Sequence, residues 1–148
     1  MFSEKLKKYA ESQYEERLGI LGETGRIVEE KMKSCTPDEQ ILMKFLYGTM
    51  PVRDAGEYEF EVFLGYVRHS LMVYTTMDWC RDLSEEIFIN HVLYYRINSE
   101  NIVDCRRFFY DQLIDRIRGL SAKEAALEIN YWCAENGSYE ASDRRTIS

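Results

Sequence analysis

Breaks in helix-forming sequence are few in this chain, and their positions constrain its fold more than any other feature. Only two prolines and eight glycines occur in 148 residues. They fall mainly where an apolar periodicity ends, as expected at the ends of helices. Between these breaks, apolar residues recur at intervals of three and four, which places them along one face of an α-helix. The sequence therefore predicts an all-α fold, an irregular multi-helix bundle of about six to seven helices.

Capping residues mark the starts of the predicted helices. Four serine or threonine side chains precede apolar periodicities and can accept hydrogen bonds from free backbone N–H groups; they are Ser3, Thr36, Ser84 and Ser121. Thr36 is followed by Pro37 and Glu39, the pattern of a capping box with proline in the first turn. Ser121 with Glu124 repeats this signature. These signals predict where the first, third, fifth and last helices begin.

Apolar stripes define the face that each predicted helix buries. The first helix, which Gly19 and Gly22 are expected to end, has the stripe Leu6, Tyr9, Ala10, Tyr14 and Leu18. The helix from about Tyr58 has Phe60, Phe63, Val67, Leu71 and Tyr74. The helix after Ser84 has Ile87, His91 and Tyr94, and the last helix, ended by Gly137, has Ala125, Ile129, Trp132 and Cys133.

Less regular segments separate and follow these stripes. A short helix is predicted from about Thr24 to Lys33, and another from about Asn101 to Arg118. The segment from Arg53 to Glu57 is predicted to be a loop. The chain divides into a helical domain over residues 1–136 and a polar, irregular, extended C-terminal tail over residues 137–148.

The charge balance restricts the partners of this chain. Its net charge is −7, so it has no electrostatic attraction to phosphate backbones or anionic lipid. Nucleic acid and membrane are therefore not expected partners. The segment Ser3–Tyr9 is charged where a signal peptide would be apolar, and no apolar run approaches the length of a membrane span. These features predict a cytoplasmic protein with reduced thiols.

Cysteine and histidine are the residues most able to form a catalytic or metal site here. The cysteines are widely spaced, with no Cys-x-x-Cys pair; they are Cys35, Cys80, Cys105 and Cys133. Cys133 is predicted to be a buried structural residue beside Trp132, and Cys35 to be exposed before a helix start. His91 is predicted to lie in the core or at its boundary. The sequence thus predicts no catalytic residue, cofactor site or metal site in this chain.

The stretch Ala125–Thr146 resembles the segment that leads into the catalytic core of bacterial transglutaminase-like proteins. The matching residues that could be structural or line a cleft are Asn130, Trp132, Tyr139, Asp143 and Arg145, with Tyr95 and Arg96 upstream. Tyr94 departs from the pattern, since many relatives have proline there. The family's chemistry uses a Cys-His-Asp triad whose cysteine follows a Gly-x-Cys turn. No position of this chain matches that turn, so the resemblance assigns no catalytic residue.

Two functions remain as expectations. The resemblance implies a non-catalytic N-terminal helical portion, cut before the catalytic cysteine, that would buttress a downstream catalytic domain and its substrate cleft. The complete protein would then perform thiol-based acyl transfer or amide hydrolysis on a protein or peptide. The alternative is a free-standing helical module whose tyrosine-rich face binds a protein or peptide. A weak homodimer through an uncovered face is expected for the isolated chain.

Overall fold

The computed structural model describes residues 2–93 and 111–137. Throughout these two ranges the regular elements are helical and no strand occurs, which confirms the all-α prediction for the described residues. In the same ranges, no helix is both long enough and apolar enough to cross a membrane. The predicted tail, apart from Gly137, lies outside the described residues.

The helices follow one another with short connections. In chain order they are α1 (Glu4–Leu21), α2 (Glu23–Met32), α3 (Pro37–Thr49), α4 (Val52–Glu57), α5 (Phe60–Thr76), a 3₁₀ turn (Asp78–Cys80), α6 (Glu85–Ile87), a π-helix (Phe88–Val92), α7 (residues 111–117) and α8 (Ala122–Asn136).

The predicted helix starts are confirmed by their hydrogen bonds. The Ser3 side chain accepts from the Leu6 N–H, and Ser84 and Ser121 do the same for their own helices. At α3 the capping box is complete. The Thr36 hydroxyl accepts from the Glu39 N–H, and the Glu39 carboxylate accepts from the Thr36 N–H at 3.0 Å.

Two predicted helix boundaries are wrong. Gly19 does not end α1, which continues to Leu21 and is closed by Gly22 at φ +57°. This left-handed conformation is strained for residues with a Cβ and favours glycine. The predicted loop from Arg53 to Glu57 is instead part of α4. Pro51 opens that helix, and Ala55 is buried. Because α4 has only six residues, its apolar periodicity is too short to be recognised.

The segment after Ser84 begins as α6 and then widens into the π-helix. The Leu93 N–H donates to the Phe88 carbonyl, five residues back, at 2.9 Å. This wider turn brings Phe88 and Leu93 into the core. The predicted inward face is therefore wrong, since Ile87 is 44% exposed and His91 is also exposed. Tyr94, the third residue of that predicted face, lies outside the described residues.

Two clusters of buried side chains form the core. The main core joins helices α1 to α5 and the π-helix, and its largest fully buried side chains include Tyr14, Tyr47, Phe63 and Phe88. The second core joins the 3₁₀ turn, α7 and α8 through Met77, Cys80, Leu113, Ile117, Ala125 and Trp132. The Asp78 N–H donates to the Arg118 carbonyl at 3.1 Å, which ties the 3₁₀ turn to the end of α7.

The buried side of α8 is narrower than predicted. Ala125 and Trp132 are buried, as predicted, and Ile129 is partly buried. Cys133 is exposed, so its assignment as a buried structural residue is wrong. One helical residue spans about 100° around the axis, and this rotation carries Cys133 away from Trp132 and out of the second core.

Helices α1 and α3 meet at Gly48 of α3. A Cβ at Gly48 would lie 2.8 Å from the backbone carbon and Cβ of Gln13 and 2.8 Å from the Tyr14 nitrogen. Real Cβ atoms do not approach backbone this closely, so only glycine fits. Arg17 of α1 also donates a hydrogen bond to the Met50 carbonyl at the end of α3.

We expect Gly48→Ala to lower the free energy of unfolding by about 1–3 kcal/mol, the usual cost of overpacking a core. Gly19→Ala is the matched control, because Gly19 lies within α1 and no atom outside its own stretch of helix backbone lies within 4 Å of its Cβ position. The control should gain about 0.5–1 kcal/mol from helix propensity. Urea unfolding followed by circular dichroism measures both. Equal stabilisation of the two variants would contradict the close crossing of α1 and α3.

Candidate functional site: an aromatic groove

A groove lies between α1, α3 and the π-helix and encloses about 500 Å³. Its floor is apolar and consists of Leu6 and Tyr9 from α1, Phe45 from α3 and Ile89 from the π-helix. Tyr9 is 49% exposed, and its ring centroid is 6.2 Å from that of Phe45. The prediction that Tyr9 belongs to the buried stripe of α1 is therefore wrong. It is an aromatic side chain that remains half in solvent.

The walls of the groove carry opposite charges. Lys5 lines it from α1, and Lys8 follows one turn later on the same helix. Glu86 and Asn90 line it from α6 and the π-helix. Lys5, Lys8, Glu86 and Asn90 are all exposed. The groove thus combines an apolar floor with a single lysine, Lys5, on its α1 wall and with carboxylate and amide groups on the wall formed by α6 and the π-helix.

One end of the groove is held by Ser3. The Ser3 N–H donates to one oxygen of Glu85 at 2.7 Å, and its hydroxyl donates to the other at 2.6 Å. Behind this contact, the ring of Phe88 stacks on Phe2 at 5.7 Å and on Tyr74 at 4.2 Å between centroids. These contacts fix the π-helix against α1, so the shape of the groove is formed by the fold itself.

A second cavity of about 430 Å³ lies between α2, α4 and α5. Lys31 and Glu61 pair across it at 2.6 Å. Tyr47, which lines it, is 1% exposed, and burial raises the pKa of its hydroxyl. The cavity is more polar than the groove, and its cation is already paired with a carboxylate. It is therefore the weaker candidate for binding.

The cysteines among the described residues differ in their exposure. Cys35 is buried, so the prediction of an exposed Cys35 is wrong. Burial, and then the negative charge of Glu39, raises the pKa of the Cys35 thiol, and burial raises the pKa of Cys80 to about 11. Cys133 is exposed on α8. In the described ranges, no three histidine, cysteine or acidic side chains are grouped to hold a metal ion.

Glu39 has a structural role beside Cys35. Burial raises the pKa of its carboxyl, but hydrogen bonds from Arg68 and Thr36 outweigh this effect and leave the pKa below its ordinary value. The Arg68 Nε lies 2.9 Å from the Glu39 carboxylate. The carboxylate is thus ionised and fully engaged in the capping box and one ion pair.

The residues selected by the transglutaminase resemblance are only partly described. Trp132 is buried in the second core, and Asn130 is exposed on α8. The structure does not bring these two together, because they lie on different sides of the helix. The other five lie outside the described residues; they are Tyr95, Arg96, Tyr139, Asp143 and Arg145.

Two exposed apolar side chains on α8 were not anticipated from the sequence. Leu127 is 50% exposed and Tyr131 is 60% exposed. They are four residues apart and therefore neighbours on one face of the helix. We refer to this pair as the α8 ridge. A helical wheel drawn from Ala125 and Trp132 as the buried side would have placed both on the opposite, uncovered face.

No known protein family, curated protein or solved structure matches this chain. The transglutaminase-like assignment consequently stays a hypothesis. Within residues 2–93 and 111–137, the groove and the α8 ridge are the surfaces on which we base a function.

We expect Cys133 to react with iodoacetamide at neutral pH much faster than Cys35 or Cys80. Its thiol is exposed, whereas the other two are buried and remain protonated. Peptide mass spectrometry after timed alkylation measures each site separately. Alkylation in urea provides the control, since unfolding should make the rates similar. Fast modification of Cys35 or Cys80 in the folded protein would contradict their burial.

Proposed function

We propose that this chain is a helical protein-interaction domain whose groove binds a segment of another polypeptide. The single observation behind the proposal is Tyr9, which is half-exposed above Phe45 on the floor of a preformed cavity. Tyrosine supplies a large contact area at low conformational cost, and binding would remove its apolar surface from water.

The chemistry of the groove favours a polypeptide over a small ligand. Small-molecule sites orient their ligands with a few polar groups that converge inside a mostly apolar cavity. Here the polar groups Lys5, Glu86 and Asn90 are exposed on the walls. An apolar floor between charged walls suits an amphipathic helix, which presents apolar anchors at helical spacing and charged flanks beside them.

The two buried thiols are poorly suited to nucleophilic chemistry. A thiolate is the reactive form of cysteine, and burial holds Cys35 and Cys80 in the protonated form. Free thiols at these two positions also support our proposal that the protein resides in the reducing cytoplasm.

We expect Tyr9→Ser to weaken binding of an amphipathic helical peptide at least about tenfold, as for loss of an aromatic anchor. The peptide should carry leucines at positions i, i+4 and i+7, with acidic and basic residues on opposite flanks. Ile20→Ser is the matched control, because Ile20 is 66% exposed on the same helix but does not line the groove.

Two-dimensional amide NMR of the labelled chain, titrated with the peptide, measures both the affinity and the site. Shifts centred on Leu6, Phe45 and Ile89 are the expected result. A peptide that shifts other residues, or that binds the two variants equally, would refute the groove as the binding site.

A second candidate function is the helical N-terminal part of a transglutaminase-like protein. The α8 ridge favours it, because Leu127 and Tyr131 are exposed within the helix that carries the resemblance. In this proposal the ridge would pack against a downstream thiol acyl-transfer or amide-hydrolysing domain. Asn130 and Trp132 would support that contact from either side of the helix.

The coding sequence after Ser148 tests this second candidate. We expect a Gly-x-Cys turn within a few tens of residues, followed by histidine and aspartate. In the longer chain, Tyr131 should then be protected from iodination, as measured by peptide mass spectrometry, since the new domain would cover the α8 ridge. A stop codon at this position, or a continuation without the triad, would refute the candidate and leave the interaction domain.

A further inference from the structure

We propose that the groove of one chain binds the α8 ridge of a second copy, and that the two copies exchange this contact reciprocally. This inference rests on the proposed function, since it names the polypeptide that the groove receives. Its occupant is an amphipathic helix already present in the chain.

The apolar surfaces of the two sites match in kind. Leu127 and Tyr131 are 50% and 60% exposed and one turn apart, which is the spacing of anchors in helix-in-groove recognition. The floor that would receive them consists of Leu6, Tyr9, Phe45 and Ile89. Tyr131 would lie against an aromatic floor, where paired rings add to the effect of burial.

The charges of the two sites also match. At about 100° per residue, Glu124 lies on one side of the α8 ridge, and Lys123 and Asn130 lie on the other. Glu128, farther round on the side of Glu124, is already paired with Arg116 of α7. The groove has Lys5 on its α1 wall and Glu86 on the opposite wall. In one direction of the bound helix, Glu124 faces Lys5 and Lys123 faces Glu86.

A reciprocal contact also closes the assembly. The groove lies beside the main core, while the ridge belongs to a helix of the second core. When the ridge of each copy binds in the groove of the other, a two-fold axis relates the copies. Neither binding surface then remains free to recruit a third copy. Because each contact is small, we expect a weak dimer in exchange with monomer.

Sedimentation velocity over a concentration series tests the inference. The wild-type chain should pass from monomer to dimer in the micromolar range. Tyr9→Ser and Tyr131→Ser should each raise the dimer dissociation constant at least about tenfold, the factor that corresponds to 1.4 kcal/mol. Ile20→Ser should leave it unchanged, because this exposed side chain belongs to neither surface.

A mixture of the two variants provides the sharper measurement. Tyr9→Ser retains an intact ridge, and Tyr131→Ser retains an intact groove. Their heterodimer therefore keeps one complete contact, whereas neither homodimer keeps any. Mixing them should produce more dimer than either variant forms alone. No gain on mixing would overturn the pairing of ridge with groove.

Charge reversal tests the orientation of the bound helix. Glu86→Lys should weaken the dimer several-fold, and Lys123→Glu in the same chain should restore it, because each contact then regains an opposite pair. Failure of the second change to restore the dimer would overturn the proposed orientation.

Dimerisation and peptide binding can fail separately, so the two measurements distinguish the proposed dimer from the proposed polypeptide site. A wild-type chain that stays monomeric at the highest concentration overturns the second copy as occupant. If the amphipathic peptide then still binds in a Tyr9-dependent way, the groove remains a polypeptide site with a different partner. If neither peptide nor second copy binds, both proposals are overturned.

Discussion

The contact between α1 and α3 at Gly48 is the constraint on which the rest of the structure depends. Backbone atoms of Gln13 and Tyr14 occupy the space that any larger residue at position 48 would need. Because the helices meet this closely, Ala10 and Tyr14 are buried, while Tyr9 is carried to the edge beside Phe45. The aromatic floor of the groove is thus a consequence of one close helix crossing.

The π-helix supplies the other side of the groove, and its wider turn decides which residues appear there. Phe88 is fully buried between the rings of Phe2 and Tyr74, and Leu93 is buried five residues later. A regular α-helix would not place both inward at that spacing. With Phe88 and Leu93 in the core, Glu86, Ile89 and Asn90 lie along the groove. π-Helical turns occur frequently at functional sites.

Local chemistry in the sequence was sufficient to predict the all-α fold and the starts of helices. The hydroxyls of Ser3, Thr36, Ser84 and Ser121 accept the hydrogen bonds expected of them, because a cap needs only residues within one turn. The short helix α4 and the π-helix were missed. The first is too short to show an apolar period, and the second departs from the 3.6-residue period of an α-helix.

The groove and the ridge could not be predicted in the same way. Periodicity shows which face of a helix is apolar, but not how much of that face another helix covers. Tyr9 follows the stripe of α1 and is nevertheless half-exposed, while Cys35 precedes a helix start and is buried. Cys133 adjoins the buried Trp132 and is exposed. These outcomes depend on tertiary packing, which no short stretch of the chain contains.

Any account of function must explain the two apolar surfaces, the groove and the α8 ridge, that are exposed within the described residues. A downstream domain packed on Leu127 and Tyr131 would explain the α8 ridge but would leave Tyr9 and Phe45 without a partner. An unrelated partner in the groove would explain Tyr9 and leave the ridge exposed. Reciprocal binding covers both surfaces with one kind of contact and pairs their charges. Because exposed apolar area is unfavourable in water wherever it lies, the explanation that removes both surfaces is the stronger one.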